Sequence, residues 1–247
     1  MKIRRNIRKL SAVIMTFAML LGILPMLGCG ITAKADYNPV KMYSVDTTFS
    51  RVGITTSNIY IQVDAGSAAN KAVYVHYELY NQEEWEDAQA SFVTKLDDNT
   101  EIWMATVSGV VTRQFAIKYV GDGKVYWDNN NGNDYSFDDV LGTAIVSAQR
   151  LRSGLNGYAL RVAVKNLAYN KVVRVRYTLD NWKTYNDVDL TYETAISGTN
   201  NEYWSTTLNV PMFTDDFEFC VYYQVNGQTY WDNNFGSNYD SNYYRSY

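Results

Sequence analysis

In VVRVRYTL, residues 172–179, the apolar side chains Val173, Val175, Tyr177 and Leu179 recur at every second position, with Arg174, Arg176 and Thr178 between them. That is the two-residue period of a strand with one buried face. DFEFCVYYQV, residues 216–225, repeats the pattern. Phe217, Phe219, Val221, Tyr223 and Val225 share one face, and Glu218, Cys220, Tyr222 and Gln224 share the other. Beyond residue 35 no segment shows the 3.6-residue recurrence of an amphipathic helix. Short alternating runs broken by Asn, Asp, Gly and Ser predict antiparallel strands. The Asp-Gly of GDGK (121–124) and the Asn-Gly of VNGQ (225–228) predict tight hairpins between them.

The pattern occurs twice. NKAVYVHYEL at 70–79 matches NKVVRVRYTL at 170–179, EIWMATV from Glu101 matches EYWSTTL from Glu202, and Trp127 matches Trp231. The order is kept while the offset grows from 100 to 104, so only loops change length. Two copies of one domain, roughly 41–137 and 143–247, follow, joined by a short junction around Ser136–Gly142. The expected fold class is all-β: two tandem immunoglobulin-like antiparallel β-sandwiches, assigned to 36–140 and 141–247, after an N-terminal signal peptide at 1–35.

The leader is read from a basic start (Lys2, Arg4, Arg5, Arg8, Lys9), an apolar run from Leu10 to Leu27, and Ala33-Lys34-Ala35 ahead of a cleavage point before Asp36. Pro25, Gly22, Gly28 and Gly30 interrupt the run and argue against a stable membrane span. A secreted protein is expected. The alternative is a cell-surface lipoprotein, because MLGC ending at Cys29 resembles a lipidation box, although Leu27 stands where a smaller residue is usual.

Without the leader, 16 basic and 26 acidic side chains give a net charge of −10. Such a surface repels phosphate backbones and anionic lipid heads, which excludes nucleic acid and peripheral membrane partners. Cys220 is then the only cysteine, so a monomer, the expected state, rests on packed cores without an internal disulfide. Charged residues are few at 19%, whereas aromatics reach 15% with 22 Tyr, more than two cores need. Tyr suits places where one face is apolar and one end is wet.

The candidate chemistry sits in VYWDNNNGNDY (125–135) and TYWDNNFGSNY (229–239). Trp127 and Trp231 each run into Asp and Asn: Asp128, Asn129 and Asn130 in one copy, Asp232, Asn233 and Asn234 in the other. A flat apolar face beside amides suits a sugar ring, whose C–H face lies on an aromatic while its hydroxyls take donors and acceptors. The competing reading is a turn whose Trp plugs the sandwich end. Duplication favours the sugar, as does Trp182 in LDNWKTYNDVD (179–189), again among Asp180, Asn181 and Asn186.

The succession VAVKNLAYNKVVRVRYTLDNW, SGTNNEYW and DDFEFCVYYQVNGQTYWDNNFGSNY resembles carbohydrate-binding module family 21 over about Thr143 to Tyr239. That family comprises the starch-binding domains of fungal glucoamylases and of glycogen-targeting subunits of protein phosphatase 1. Copy one resembles it through NKAVYVHYEL, EIW and VYWDNNNGNDY, and diverges between Tyr80 and Thr100. The resemblance implies a sandwich with two glucan sites. One would use Trp182, Trp231, Asp232, Asn233 and Asn234, and the other Asn166, Tyr169, Lys171, Tyr192 and Glu202. Cys220 and Asn201 stand where the family has aromatics, so each site loses a stacking surface. In copy one Ala69 replaces the Tyr of the second site. Its first site keeps Trp127, Asp128, Asn129 and Asn130, with Trp85 as a partner displaced by a few residues.

Other readings compete with this one. Glycoside hydrolysis needs two carboxylates at a set separation, and two sandwiches leave no room for a catalytic domain. His76 is expected as a plain surface residue and Cys220 as a strand residue. The run DNNNGNDYSFDD (128–139) departs from a calcium loop at Gly132 and Asp139, so no metal or cofactor is expected. A cell-surface adhesive or structural protein with immunoglobulin-like domains remains the alternative. A phosphatase-scaffold role is disfavoured by the export signal and by the lack of a basic-Val-x-Phe segment. The expectation is a non-catalytic binder of α-glucans such as starch, glycogen or maltooligosaccharides, which would serve secreted amylolytic enzymes.

Overall fold

The computed structural model describes residues 37–49, 55–79, 84–96, 99–109, 112–154, 157–211, 214 and 216–241. The signal-peptide and Cys29 readings lie outside the described residues. Eight strands come first: β1 (Val40–Phe49), β2 (Thr55–Asp64), β3 (Lys71–Leu79), β4 (Trp85–Gln89), β5 (Ser91–Lys95), β6 (Thr100–Gly109), β7 (Thr112–Gly121) and β8 (Lys124–Asp128). They form two antiparallel sheets, ordered β1-β2-β6-β5 and β4-β3-β7-β8. Then come β9 (Val146–Gly154), β10 (Gly157–Lys165), β11 (Lys171–Thr178), β12 (Asn186–Asp189), β13 (Thr191–Ala195), β14 (Asn201–Leu208), β15 (Glu218–Val225), β16 (Gln228–Asp232) and the short β17 (Tyr239–Asp240). Their sheets run β9-β10-β14-β13 and β12-β11-β15-β16, the same order shifted by eight strands. Even a bulge recurs, between Phe92 and Thr94 in β5 and between Tyr192 and Thr194 in β13.

Alternation sets the faces. Phe217, Phe219, Val221, Tyr223 and Val225 are all buried and join Val173, Val175, Leu160 and Val162 in one core. Ile59, Ile61, Val73, Val75, Phe115 and Ile117 belong to the other. Leu179 departs from the expected face, lying beyond the end of β11 and exposed. Cys220 and Tyr222 also depart, since they are on the outer face of β15 yet buried. Both hairpin turns have two successive residues at positive φ, Asp122 (48°) with Gly123 (76°) and Asn226 (52°) with Gly227 (75°), as two-residue turns between twisted strands require.

The junction is packed against both halves. Val140, Leu141 and Ala144 are buried with Ala163 and Ile196 of the second sandwich, and Tyr43 of the first packs on them. Val45 N–H donates to the Val140 carbonyl at 3.0 Å, Thr143 N–H to that of Met42 at 2.9 Å, and Lys165 Nζ to that of Gly142 at 2.5 Å. Burial lowers the Lys165 ammonium pKa. A Cβ on Gly142 would lie 2.0 Å from the Met42 carbonyl oxygen, so the backbones approach here as only glycine permits.

Candidate functional site

β8 ends at Asp128 and β16 at Asp232, and each runs into a 3₁₀ turn, Asn130–Gly132 and Asn234–Gly236. Asp128 accepts the Met42 N–H at 2.7 Å and the Tyr135 hydroxyl at 2.9 Å. Asp232 accepts the Ala148 N–H at 2.7 Å and the Tyr239 hydroxyl at 2.7 Å. Each carboxylate thus ties its tip to the first strand of its own sandwich. Residue Asp232 keeps some surface but its carboxyl is enclosed, and that burial raises its pKa against the hydrogen bonds, which pull the other way. Asp128 and Asp232, expected to orient a ligand, accept internal donors on both tips.

The amides are half committed. Asn129 Oδ1 accepts the Gly132 N–H at 3.1 Å, and Asn233 Oδ1 accepts the Gly236 N–H at 3.0 Å. Asn130 and Asn234 donate Nδ2 to the carbonyls of Asp134 and Asn238, both at 3.0 Å. Fixing one end of an amide orients the other. Each tip therefore presents an Nδ2 donor from Asn129 or Asn233 and an Oδ1 acceptor from Asn130 or Asn234.

In the second sandwich Trp231 is 47% exposed, with its ring centroid 4.6 Å from that of Tyr222, its register partner. The Arg176 guanidinium lies 4.0 Å from the Tyr185 ring and 5.5 Å from the Trp231 ring, and forks onto Asp187 through two 2.8 Å bonds. That fork holds the Asp187 carboxyl below its ordinary value despite partial burial. Cys220 faces Arg176 across the register, and burial pushes its thiol up to about 11. Lateral cover by long side chains explains why this outer strand face is dry. Trp182 sits at the same end of the sheet, its Nε1 donating to Glu218 Oε2 at 2.6 Å. Asn238, at the foot of the tip, donates to the same oxygen at 3.2 Å. Thr184, through its backbone and hydroxyl, holds the Asp180 carboxyl low and closes the Trp182 loop.

In the first sandwich Trp127 is 43% exposed. His76 stacks on Trp85 at 4.8 Å and meets Trp127 edge-on at 5.3 Å. Asp87 bonds His76 Nδ1 and Lys118 Nζ, both at 2.7 Å, and Lys118 lies 5.8 Å from the Trp127 ring. Burial works to raise the Asp87 carboxyl, but the bonds from Lys118 and His76 outweigh it and leave its pKa lowered. Asp87 lies opposite His76 in register as Asp187 lies opposite Arg176. Trp85 is therefore the counterpart of Tyr185, and it stands across His76 from Trp127. His76 takes the place of Arg176 on that outer face, between two indoles.

The second constellation also assembles, except for Tyr169. Lys171 Nζ donates to Asn166 Oδ1 and, at 2.8 Å, to Glu202, which takes the Trp204 Nε1–H at 2.9 Å. Tyr192 meets Trp204 edge-on at 6.0 Å. Lys171 and Glu202 side chains are only 4% and 12% exposed, so they position Trp204 more than they face solvent. Tyr169 is 97% exposed and stands away in its loop. Copy one keeps the frame despite Ala69, with Lys71–Glu101 at 2.8 Å, Trp103 donating to Glu101 at 2.9 Å, and Phe92 edge-on to Trp103 at 6.0 Å. Sequence reasoning missed Arg176, Tyr185, Asp187 and Tyr222, and also Phe92, Trp103 and Trp204. Extending the 100-residue offset to WEDAQ and YNDVD would have found several of them.

A folded scaffold with exposed indoles beside fixed amides defines a ligand-binding module, and the family agrees. Residues 144–242 match the model of the carbohydrate/starch-binding module (family 21). That match spans the second sandwich, from β9 to β17. Among similar proteins, protein phosphatase 1 regulatory subunit 3C of Bos taurus is 42% identical over 82 residues, which are 32% of this chain and 26% of that protein. Regulatory subunit 3B of Homo sapiens is also 42% identical over 82 residues, covering 32% and 29%. The chain thus spans under a third of the length of these relatives. The starch-binding domain of Rhizopus oryzae glucoamylase, solved with beta-cyclodextrin and maltoheptaose, is 33% identical over 40% of this chain and 92% of its own, with a TM-score of 0.35.

Proposed function

We propose that the protein binds α-glucans, starch, glycogen or their maltooligosaccharides, without acting on them, and that the first sandwich is a second, diverged copy of the module. The reading includes export, with the polymer met outside the cell. One observation carries it: Trp231 and Trp127 keep open faces, at 47% and 43% exposure, beside amides whose free ends are already oriented. Stacking supplies contact area and the amides set orientation. In the glucan reading Trp231 and Trp127 stack directly. Trp182, braced by Glu218, widens the second platform, and Tyr192 with Trp204 gives it another surface. The carboxylates of Asp128, Asp187 and Asp232 are engaged by donors within the protein, which favours binding over acid–base chemistry.

The test is retention of the full chain on insoluble starch with the first platform silenced by Trp127→Ala. In that background Trp182→Ala with Trp231→Ala is expected to lower retention at least about tenfold, one stacked base or ring of this kind being worth ~1–3 kcal/mol. Unchanged retention by the folded variant contradicts the site.

A further inference from the structure

The two sandwiches meet beside a binding tip. Phe235 of the second carries its ring to within 5.7 Å of Tyr43 and 5.4 Å of Tyr60 of the first, measured between centroids. Next to this contact a cleft of about 230 Å³ separates Tyr43, Thr94 and Lys95 on one wall from Trp231 and Asn233 on the other. Its walls are held in place by the packed junction, with Val140, Leu141 and Ala144 buried between the halves.

The lining specifies a neutral, hydroxyl-rich occupant. Trp231 supplies a flat wall. Asn233 has its Oδ1 bound to the Gly236 N–H, so its Nδ2 points elsewhere as a donor. Thr94 adds a hydroxyl and Lys95 an ammonium. The cleft's carboxylate, Asp232, is occupied by Ala148 and Tyr239, which leaves it little attraction for a cation. The volume falls below the roughly 300 Å³ at which pockets for drug-sized ligands begin, so a single sugar ring fits and an oligosaccharide must pass through. The bulge between Phe92 and Thr94 turns Thr94 to the face opposite Phe92 and Trp103, so Thr94 and Lys95 are the first sandwich's own contribution to the cleft.

We infer that this cleft is a glucan subsite joining the Trp231 platform of the second sandwich to the Tyr43, Thr94 and Lys95 wall of the first, so that one oligosaccharide is held by both sandwiches at once. The inference rests on the glucan reading above and adds a length preference. A short sugar occupies one platform, whereas a longer one enters the cleft and gains the contacts of its far wall.

Calorimetric titration of the full chain with maltotriose and with maltoheptaose tests it, using Thr94→Arg to fill the cleft from its edge strand. The protein is expected to bind maltoheptaose about tenfold more tightly than maltotriose, the intramolecular second contact carrying the difference. Thr94→Arg should erase that advantage and leave maltotriose affinity in place. Thr94→Val, which keeps size and removes the hydroxyl, should lose about two- to threefold on maltoheptaose alone. A length advantage that survives Thr94→Arg overturns the inference while the glucan reading stands. Failure of the unaltered protein to bind either sugar overturns the glucan reading, and this inference with it.

Discussion

The two Trp-Asp-Asn-Asn tips share their internal hydrogen bonds nearly atom for atom and differ in what they show the outside. Asp128 and Asp232 take equivalent backbone and tyrosine donors, and both turns are capped by the preceding Asn. At the apex the first tip has Asn131 at φ 58° and the second has Phe235 at φ 55°. Asn adopts the left-handed region at small cost, whereas a bulky ring rarely does. The aromatic is retained there with its ring against Tyr43 and Tyr60. The platforms differ in the same manner, Arg176 on Asp187 in one and His76 on Asp87 in the other. Within the tips and platforms the scaffold bonds are repeated, and the variation falls on outer-face side chains and on the ring that meets the other sandwich.

Five substitutions bear on that comparison, the most damaging first. Asp232→Ala leaves the Tyr239 hydroxyl and the Ala148 N–H without their acceptor, each worth ~1–3 kcal/mol when buried. A urea midpoint should record a loss of about 3 kcal/mol, and Asp128→Ala should do the same to the first sandwich. Equal stability of both variants to the parent would separate the tips from their supposed fastening role. Phe235→Asn, which imports the first tip's apex, removes two ring contacts of ~0.5–1.5 kcal/mol each and relieves the left-handed backbone. Its net loss of about 1 kcal/mol should appear in the thermal midpoint.

Cys220 offers a chemical probe of the same sheet face. With its thiol pushed up to about 11 by burial, alkylation at pH 8 should run at least ~100-fold slower in the folded protein than in urea. Arg176→Ala should restore much of the reactivity by uncovering the strand, and an unchanged rate would mean Arg176 is not the cover. The smallest effect concerns acid. Asp187, lowered by Arg176, contributes stability above its unfolded pKa that fades as pH falls through the lower folded value. Because the pair is partly exposed to screening solvent the effect is about 0.5 kcal/mol, seen as a pH 7 against pH 3 difference in midpoint that Arg176→Gln abolishes.

The strands and the hairpins were legible because they depend on local period and on Asn-Gly or Asp-Gly turns. The aromatic tips were legible because Trp beside Asn is rare chemistry written in consecutive residues. What each polar side chain would meet was not. Asp128 and Asp232 looked like ligand groups since their partners, Met42 and Ala148, lie 86 and 84 residues away. The equivalence of Trp85 with Tyr185 was hidden by a diverged loop, which masks the register that sets Asp87 opposite His76. Burial of Cys220 and Tyr222 escaped alternation, which describes a strand's two faces and says nothing of a guanidinium lying across one of them. Phe235 gave no sign of its role, since its partners Tyr43 and Tyr60 belong to the other sandwich.

Depletion of the purified chain from solution by granular starch, with cellulose in parallel, tests the central claim most directly. The account predicts removal by starch and little by cellulose, with the loss reversed by soluble maltoheptaose. Equal depletion by both polymers, or by neither, would contradict it.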